Sequence, residues 1–476
     1  MMILAKPYWL LLILFVVLGC SVKDTKTSQS KQSQQKPNVI FILADDLGYG
    51  DIGAYGQQKI KTPNIDKLAL EGIKFNQHYA GSPVCGPSRA SLLTGMHTGH
   101  SKVRGNPRWT NSGKPVELGE SDITVGDVFK SAGYNTAIIG KWAMADAKET
   151  NIEAMPSSKG FDYFFGFKTH KEAHHYYWHR LFKNNEPYIL TENDFAQKKG
   201  KYTHDLFTDQ ALNFVDKNKD DPFFLYLAFT IPHLELTVPE DSKKPYQILD
   251  WPKRKMNTKG HYKNDEEGHT AYAGMVSRMD RDIGVLMDKL KSLGIDDNTL
   301  VIFTSDNGHE YDRLKQPFFN SNGPFRGMKR DLYEGGIRMP FIARWPNKIQ
   351  QNTETNHVSA FWDFMATACD ITKVDECPSS DGISYLPTLL SQDKQVKHDF
   401  LYWEFNERKG PIQAVVQDNW KLIKNSKGLE LYDLSQDKAE SNNLIHAQPA
   451  LAVKLLTKLE GARTPHPEFT LQQLTP

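Results

Sequence analysis

The chain has 476 residues, and its 58 Lys and Arg side chains almost balance its 57 Asp and Glu side chains, giving a formal charge of +1 at pH 7. This balance argues against nucleic acid or another bulk polyanion as the main partner, because such partners need a broad basic surface. The apolar fraction of 39% is enough for one large domain or two unequal domains with hydrophobic cores.

The first 20 residues have the features of an export signal. Lys6 precedes an apolar stretch, and residues 17–20 read Val-Leu-Gly-Cys. This ending resembles a bacterial lipobox, in which cleavage leaves Cys20 as a lipidated N-terminus; an ordinary signal peptide is the alternative. A membrane-spanning helix is disfavoured because Lys6 and Pro7 leave the apolar stretch too short for a bilayer. We therefore expect an exported, lipid-anchored protein in the periplasm or on the outer membrane or cell surface of a bacterium, with residues 21–37 as a polar, flexible tether.

From residue 38 onward, strand-like apolar runs alternate with helical patterns such as 121–132 and 269–293. This alternation predicts an α/β fold with a large, mostly parallel or mixed central sheet flanked by helices. Four of the apolar runs end in polar side chains, namely 38–43 before Asp45 and Asp46, 136–140 before Lys141, 223–229 before His233, and 300–304 before Asp306 and Asn307. Ligands bind beyond the carboxyl ends of such strands, so we expect a catalytic edge, although turn formation explains any single strand end as well.

The adjacent carboxylates Asp45 and Asp46 indicate a cation site. Two neighbouring carboxylates repel each other unless a cation or protons neutralise them. Together with Asp306 and Asn307 they offer an all-oxygen ligand set, which suits calcium or magnesium better than zinc. The alternative is that Asp45 caps a helix and that Asp46 is solvated.

Cys85 lies in the segment SPVCGPSRASLLTG at 82–95, just before a short helical pattern. Because proline is tolerated in the first turn, we expect Cys85 at a helix N-terminus, where free amides favour negative charge. The pattern alone leaves open whether Cys85 is a nucleophile, half of a disulfide, a metal ligand or a buried small side chain.

The residues of this segment resemble the sulfatase signature C-x-P-S-R-x-x-x-L-T-G, in which the cysteine is oxidised to formylglycine after synthesis. The resemblance continues through PNVIFILADDLGYGDIGAYG (37–56), GYNTAIIGKW (133–142), TSDNG (304–308), RGMKRDLYEGGIRMPFIARWP (326–346) and ELYDLSQDKAESNNL (430–444). It implies the alkaline phosphatase-like fold, a maturation enzyme that generates formylglycine, and sulfuric ester hydrolysis.

The family implies a role for each matching residue. Asp45, Asp46, Asp306, Asn307 and modified Cys85 would bind calcium, with magnesium as the second choice. Arg89 would hold the formylglycine hydrate, Lys141 and Lys329 would contact the sulfate, and His233 would face the leaving-group oxygen. Formylglycine hydrate offers one hydroxyl to attack sulfur, with Asp306 as a candidate base, and a second to expel sulfate; His233 or Lys329 would protonate the departing alcohol.

One position departs from the family pattern. The family often reads G-K-W-H where this chain has Ala143 after Lys141 and Trp142. The missing histidine usually hydrogen-bonds the formylglycine, so its absence leaves open which base releases sulfate. Other sulfatases also have a small residue here, and another histidine of this chain is a candidate replacement.

Histidines and aromatic residues are concentrated at 161–182, FDYFFGFKTHKEAHHYYWHRLF. We expect a loop over the catalytic edge that binds sugar rings and hydroxyls, with a purely structural aromatic cluster as the alternative. A transition-metal site is disfavoured because no carboxylate or cysteine pattern supports zinc. The candidate substrate-binding residues are His174 and His175, together with His100 and His309 elsewhere in the chain.

The C-terminal part has short strand-like runs from about 395 and a helical pattern at 448–461. We assign 1–20 to the signal peptide, 21–37 to the tether, 38–390 to the catalytic domain, and 391–476 to a subdomain with an antiparallel sheet and a helix. Cys369 and Cys377 are expected either to form a disulfide, which an oxidising compartment permits, or to be two buried thiols.

The predicted function is removal of sulfate from a sulfated polysaccharide or oligosaccharide. A phosphatase or phosphodiesterase on the same scaffold is the second hypothesis, and the CGPSR segment argues against it. A surface lipoprotein that binds glycans through an inactive sulfatase core is the third, and it is motivated by Ala143.

Overall fold

The computed structural model describes residues 36–145, 151–254, 262, 265–311, 318–407 and 410–471. The predicted signal peptide, Cys20 and nearly all of the tether lie outside the described residues. Within those ranges, no helix combines the length and the apolar character needed to cross a membrane. Lys36–Pro476 forms one compact unit.

The strands in the described ranges are β1 (Asn38–Ala44), β2 (Ile73–Tyr79), β3 (Asn135–Lys141), β4 (Tyr163–Phe167), β5 (Arg180–Lys183), β6 (Glu186–Ile189), β7 (Phe223–Ala228), β8 (Thr299–Ser305), β9 (Arg338–Arg344), β10 (Thr353–Thr355), β11 (Ser359–Ala360), β12 (Leu401–Asn406), β13 (Pro411–Gln417), β14 (Trp420–Asn425) and β15 (Gly428–Asp433). The α-helices there are α1 (Pro63–Leu70), α2 (Cys85–Thr94), α3 (Val125–Ser131), α4 (Thr203–Lys217), α5 (Glu240–Gln247), α6 (Gly268–Ser292), α7 (Glu334–Ile337), α8 (Asp363–Thr372), α9 (Leu386–Leu389) and α10 (Pro449–Gly461).

The large sheet confirms the predicted fold class. Among the described residues it has 11 strands in the order β10-β2-β9-β8-β1-β7-β3-β4-β5-β6, and β11 also pairs with β2. The central strands β8, β1, β7, β3 and β4 run parallel to one another, whereas β9 is antiparallel to both β8 and β2. The sheet is therefore mixed, with a parallel centre.

Strand β1 shows how the centre of the parallel sheet is buried on both faces. Ile40 and Ile42 belong to one hydrophobic cluster, whereas Val39, Phe41 and Leu43 belong to the cluster on the opposite face. Alternate residues of a strand point to opposite faces, so a continuous apolar run satisfies two cores at once. Helices cover both faces, and the run has no side that could tolerate water.

The register of the parallel strands brings their carboxyl ends to one level. Ala44 of β1 lies opposite Ser305 of β8, Leu43 lies opposite Ala228 of β7, and Ala228 lies opposite Gly140 of β3. The residues that follow these four strands therefore meet at one edge, as the sequence predicted.

The C-terminal part forms a separate antiparallel sheet, β12-β13-β14-β15. One face of this sheet packs against α10 through residues such as Leu422, Leu431 and Leu455. The other face contributes Trp403 and Ile423 to a cluster with residues that precede α2 and follow β11. A disulfide joins Cys369 and Cys377 near the end of α8. Of the two expected states of these cysteines, a disulfide or two buried thiols, the structure shows the disulfide.

Candidate active site

Two carboxylates follow β1 at the centre of the edge. Asp45 and Asp46 are both buried, with 0% and 2% of their surfaces exposed. Asp46 has a φ of 63°, in the left-handed region, and its amide donates to Oδ1 of Asp306 at 3.1 Å. Asn307 donates through Nδ2 to Oδ1 of Asp46 at 2.7 Å. The two strand ends are thus joined through their acidic side chains.

Cys85 is the first residue of α2 and points at these carboxylates. Its Sγ lies 3.3 Å from Oδ1 of Asp45 and 3.8 Å from Oδ1 of Asp46. Burial raises the pKa of the Cys85 thiol well above its usual value, and the charge of Asp45 raises it further. The encoded cysteine is therefore a neutral thiol, a poor nucleophile in this environment.

Arg89, one turn further along α2, is fully buried. Its Nε and Nη2 both lie 2.9 Å from Oδ2 of Asp306, and its Nη1 donates to the carbonyl of Lys141 at 3.0 Å. Burial and the charge of Asp45 together raise the pKa of Asp306 to about 7, and Arg89 opposes this rise. Arg89 therefore joins the ends of β8 and β3 to α2.

Each of the two carboxylates is contacted by a lysine. Nζ of Lys141 lies 2.7 Å from Oδ2 of Asp45, and Nζ of Lys329 lies 2.7 Å from Oδ2 of Asp46. Burial opposes the charge of each ammonium, but Asp45 raises the pKa of Lys141 and Asp46 raises that of Lys329. Gly140, with a φ of 112°, permits the close approach of β3 to β7, because a Cβ there would lie 1.9 Å from the carbonyl oxygen of Ala228.

His233 is held beside Lys329 in its neutral form. Its Nε2 lies 3.0 Å from Nζ of Lys329 and 3.4 Å from Oδ2 of Asp46, and its Nδ1 contacts the carbonyl of Leu234. Burial lowers the pKa of His233 well below 6.5, and the charge of Lys329 lowers it further. Because a carbonyl can only accept, the proton lies on Nδ1, and Nε2 accepts from Lys329.

The donor set fits a hard divalent cation. Oδ1 of Asn307 is buried and has no hydrogen-bond partner, while Nδ2 of the same residue donates to Asp46. A buried oxygen without a partner is destabilising unless another group binds it. With the carboxylates of Asp45, Asp46 and Asp306 it forms an oxygen-rich set of the kind that calcium prefers. Ligand atoms of Asp45, Asp46, Cys85 and His233 also lie within 4.8 Å of one another.

The candidate substrate-binding histidines lie in different surroundings. His174 lies in the site, with Nε2 at 3.5 Å from Nζ of Lys141 and its ring stacked on His233. His175 is buried, and its Nδ1 lies 3.1 Å from Oε2 of Glu235. His309 is buried beside the site, where its carbonyl accepts from the amide of Lys329. His100 pairs with Asp381 at 2.8 Å beyond the other end of α2, about 15 Å along the helix from Cys85.

Three further residues, none of them among the site residues predicted from the sequence, support the site. Ser88 donates to the carbonyl of Asp306 at 2.5 Å, Asn106 accepts from the amide of Gly86 at 3.0 Å, and Glu310 lies 3.2 Å from Nζ of Lys329. Ser88 belongs to the signature and Glu310 follows the Asp306-Asn307 pair closely. Asn106 approaches from a separate loop, which only the fold reveals.

Comparison with known families agrees with this arrangement. The sulfatase family model matches residues 37–374, and the model of the C-terminal part of N-sulphoglucosamine sulphohydrolase matches residues 325–464. The chain belongs to the sulfatase family. It is therefore a sulfuric ester hydrolase, as the signature at Cys85 predicted, and the phosphatase hypothesis is not supported.

Individual sulfatases resemble the chain over most of its length. An N-acetylgalactosamine-6-O-sulfatase of Bacteroides thetaiotaomicron is 29% identical over 533 aligned residues, which cover 94% of this chain and 97% of the relative. The N-acetylgalactosamine-6-sulfatase of Mus musculus is 30% identical, with 81% of this chain and 72% of the relative covered. The crystal structure of Ps i-CgsB, also solved in complex with k-i-k-neocarrahexaose, is 28% identical with a TM-score of 0.75, covering 90% of this chain and 92% of that protein.

Proposed function

We propose that this sulfatase removes sulfate from a sulfated polysaccharide or oligosaccharide, using formylglycine made from Cys85 and a bound calcium ion. The observation that carries the proposal is the position of Cys85, whose Sγ lies 3.3 Å from Asp45 at the N-terminus of α2. Three buried cationic side chains, Arg89, Lys141 and Lys329, surround the same point. A neutral thiol has no evident use there, whereas a hydrated aldehyde at this position would meet both a cation site and anion-binding groups.

The carbohydrate substrate class is supported by the relatives. The relative from Bacteroides thetaiotaomicron is an N-acetylgalactosamine-6-O-sulfatase, and Ps i-CgsB was solved with a bound neocarrahexaose. Both cover nine-tenths or more of this chain. Aromatic residues of the segment 161–182, such as Trp178, are of the type that stacks on sugar rings.

Several side chains of the site would bind the reactants in the proposed mechanism. Asp45, Asp46, Asp306 and Asn307 would hold the calcium ion, which would supply positive charge next to the nucleophile and the sulfuryl oxygens. Formylglycine hydrate at residue 85 would supply one hydroxyl to attack sulfur and a second whose deprotonation expels sulfate as the aldehyde re-forms.

Lys141 and Lys329 can bind the sulfuryl group without releasing their carboxylates. Each ammonium has three N–H donors, and each makes one hydrogen bond of 2.7 Å to an aspartate. Lys141, whose second contact is His174 at 3.5 Å, keeps one N–H donor to offset charge on the sulfuryl oxygens in the transition state. Lys329 also contacts His233 at 3.0 Å and Glu310 at 3.2 Å, so it would exchange its contact with His233 for one with the sulfuryl group. Arg89 is committed to Asp306 and to the Lys141 carbonyl, so it fixes the frame around residue 85.

The proton for the departing alcohol would come from the pair formed by Lys329 and His233. Lys329 carries the proton of the hydrogen bond at 3.0 Å, and the imidazole accepts it. Lys329 would therefore donate to the leaving oxygen, either directly or through His233.

We also propose that the chain is exported and anchored by a lipid at Cys20, and that a formylglycine-generating enzyme acts on Cys85. The support comes from the sequence alone, namely the lipobox-like ending at Cys20 and the signature around Cys85. Mass spectrometry of the N-terminal peptide from the native host tests the first point, and an unprocessed Met1 in the mature protein would contradict it.

The function is tested by peptide mass spectrometry and by sulfate release with protein from the native host. The tryptic peptide that contains Cys85 should carry the mass of formylglycine or its hydrate; an exclusively unmodified thiol would refute the proposal. Free sulfate should be released from at least one member of a panel of sulfated polysaccharides and oligosaccharides, and Cys85→Ala should abolish release while retaining the thermal midpoint. Binding of a glycan without release would instead favour the inactive, glycan-binding hypothesis.

A further inference from the structure

His174 lies on the solvent side of Lys141 and His233, the two side chains next to the site where the sulfate ester would react. It ends a short 3-10 turn, Glu172–His174, that follows β4, and β4 is paired in parallel with β3 so that Phe167 lies opposite Lys141. The turn therefore returns over the end of β3. Lys141 and His233 have 0% and 1% of their surfaces exposed, whereas His174 is half-buried. A group that enters the site from solvent meets His174 before it meets the other two.

The contacts of His174 form a connected set. Its ring is parallel to that of His233, with centroids 3.8 Å apart and an angle of 8° between the planes. Nε2 lies 3.5 Å from Nζ of Lys141, and Nδ1 lies 3.4 Å from the hydroxyl of Tyr262. Because an ammonium can only donate, Nε2 accepts from Lys141 and the imidazole proton is on Nδ1, directed at Tyr262.

No other described side chain next to Lys141 in the sequence can provide this acceptor. Trp142 donates its indole N–H to the carbonyl of Ala154, and Ala143 has no polar side-chain atom. Nζ of Lys141 contacts the side chains of Asp45 at 2.7 Å and His174 at 3.5 Å. Asp45 alone would leave the ammonium free to rotate about one hydrogen bond, whereas a second acceptor fixes the direction of its remaining N–H bonds.

We propose that His174 is a positioning residue, which accepts a hydrogen bond from Lys141 through Nε2 and thereby directs the ammonium toward the sulfuryl group. The inference rests on the proposed function, since it assigns His174 to the same site. It also assigns a histidine to the site of a chain in which Ala143 stands where the family often has a histidine.

Three variants separate hydrogen bonding from ring stacking. His174→Gln keeps a polar acceptor near the position of Nε2 and loses the ring, His174→Phe keeps a ring on His233 and loses the acceptor, and His174→Ala loses both. We expect kcat for sulfate release to fall about 100-fold in the Phe and Ala variants, with KM within about threefold of the wild type, because a misdirected catalytic group lowers the rate by this order. The Gln variant should recover to within about fivefold of the wild-type kcat.

The affinity for inorganic sulfate gives a readout that is independent of turnover. Calorimetric titration of the matured enzyme with sodium sulfate should show weaker binding in the Phe and Ala variants and near wild-type binding in the Gln variant. Lys171→Ala, an exposed change at the start of the same turn, should alter neither quantity. Thermal midpoints and formylglycine content of all variants exclude losses through unfolding or failed maturation.

The outcomes distinguish this inference from the proposed function. If the wild type releases no sulfate from any substrate, the proposed function fails, and the sulfate titration still tests whether His174 orients Lys141. If the wild type is active but His174→Phe matches it, or if the Gln and Ala variants lose the same amount, the acceptor role is refuted. A decrease that merely follows the folded fraction would also refute it.

Discussion

At the scale of single residues, Lys329 connects the carboxylate of Asp46 to His233, the residue proposed to face the leaving group. Its ammonium lies 2.7 Å from Asp46, 3.2 Å from Glu310 and 3.0 Å from His233. We predict that Lys329→Met lowers kcat for a sulfated sugar about 100- to 1,000-fold, the usual loss for removing a group that stabilises transition-state charge. Stopped or continuous assays of sulfate release measure this.

The choice of leaving group separates the two roles of Lys329. An aryl sulfate with an acidic phenol needs little protonation as it departs, so the loss with that substrate should be clearly smaller than with a sugar sulfate. Equal losses with both substrates would restrict Lys329 to sulfate binding. Lys348→Met, at an exposed position outside the site, should leave both rates unchanged.

The predicted calcium site can be tested at a single oxygen atom, Oδ1 of Asn307. This oxygen is buried without a hydrogen-bond partner, while Nδ2 of Asn307 is already used by Asp46. We predict that chelator-treated protein binds one calcium ion per chain in calorimetric titration, and that Asn307→Ala weakens binding about 10- to 100-fold, which is typical for loss of a group that supports a metal site. Zinc binding more tightly than calcium in the wild type, or unchanged calcium affinity in the variant, would contradict the assignment.

At the scale of elements, the catalytic edge could be predicted from the sequence, but the side-chain contacts between its elements could not. Four apolar runs that each end in a charged or polar residue predict parallel strands, and parallel strands place their carboxyl ends together. The contact between His174 and Lys141 depends on the path of the chain between β3 and β4 and after it, which no periodicity encodes. Asp280 is a second example, because its partners precede it by more than 200 residues.

Asp280 supplies a cap that α1 lacks. Thr62 precedes α1 without capping it through its side chain, and Oδ1 of Asp280 in α6 instead accepts the amides of Asn64 at 2.9 Å and Ile65 at 2.7 Å. We predict that Asp280→Ala lowers the free energy of unfolding by about 1–2 kcal/mol, the usual effect of losing an N-terminal cap. Calorimetry measures it, with Asp288→Ala on the exposed face of α6 as the control. Equal thermal midpoints for the two variants would show that Asp280 does not cap α1.

At the scale of the whole molecule, a buried ionic cluster joins the two sheets. Lys421 of β14 lies 2.8 Å from Glu334 of α7 and 2.9 Å from Glu440, and Arg338 of β9 also pairs with Glu334 at 2.9 Å. The sequence predicted the C-terminal sheet from its short strand-like runs, but it contained no signal for this cluster, since its members are spread over more than 100 residues. Two carboxylates around one ammonium make the interface sensitive to protonation.

Burial and the charge of Glu334 raise the pKa of Glu440 from 4.5 to about 7, and Lys421 opposes this rise. Because the folded-state value is the higher one, this group stabilises the fold fully below pH 4.5, and the stabilisation is lost as the pH rises through about 7. We predict that the free energy of unfolding of the wild type, measured by urea titration, falls relative to that of Glu440→Gln by about 1 kcal/mol per pH unit between pH 5 and 6.5, and that the difference becomes constant above about pH 8. Glu460→Gln on the exposed side of α10 should run parallel to the wild type throughout. Parallel curves for Glu440→Gln as well would mean that Glu440 is ionised in the folded protein and that the junction does not respond to pH in this range.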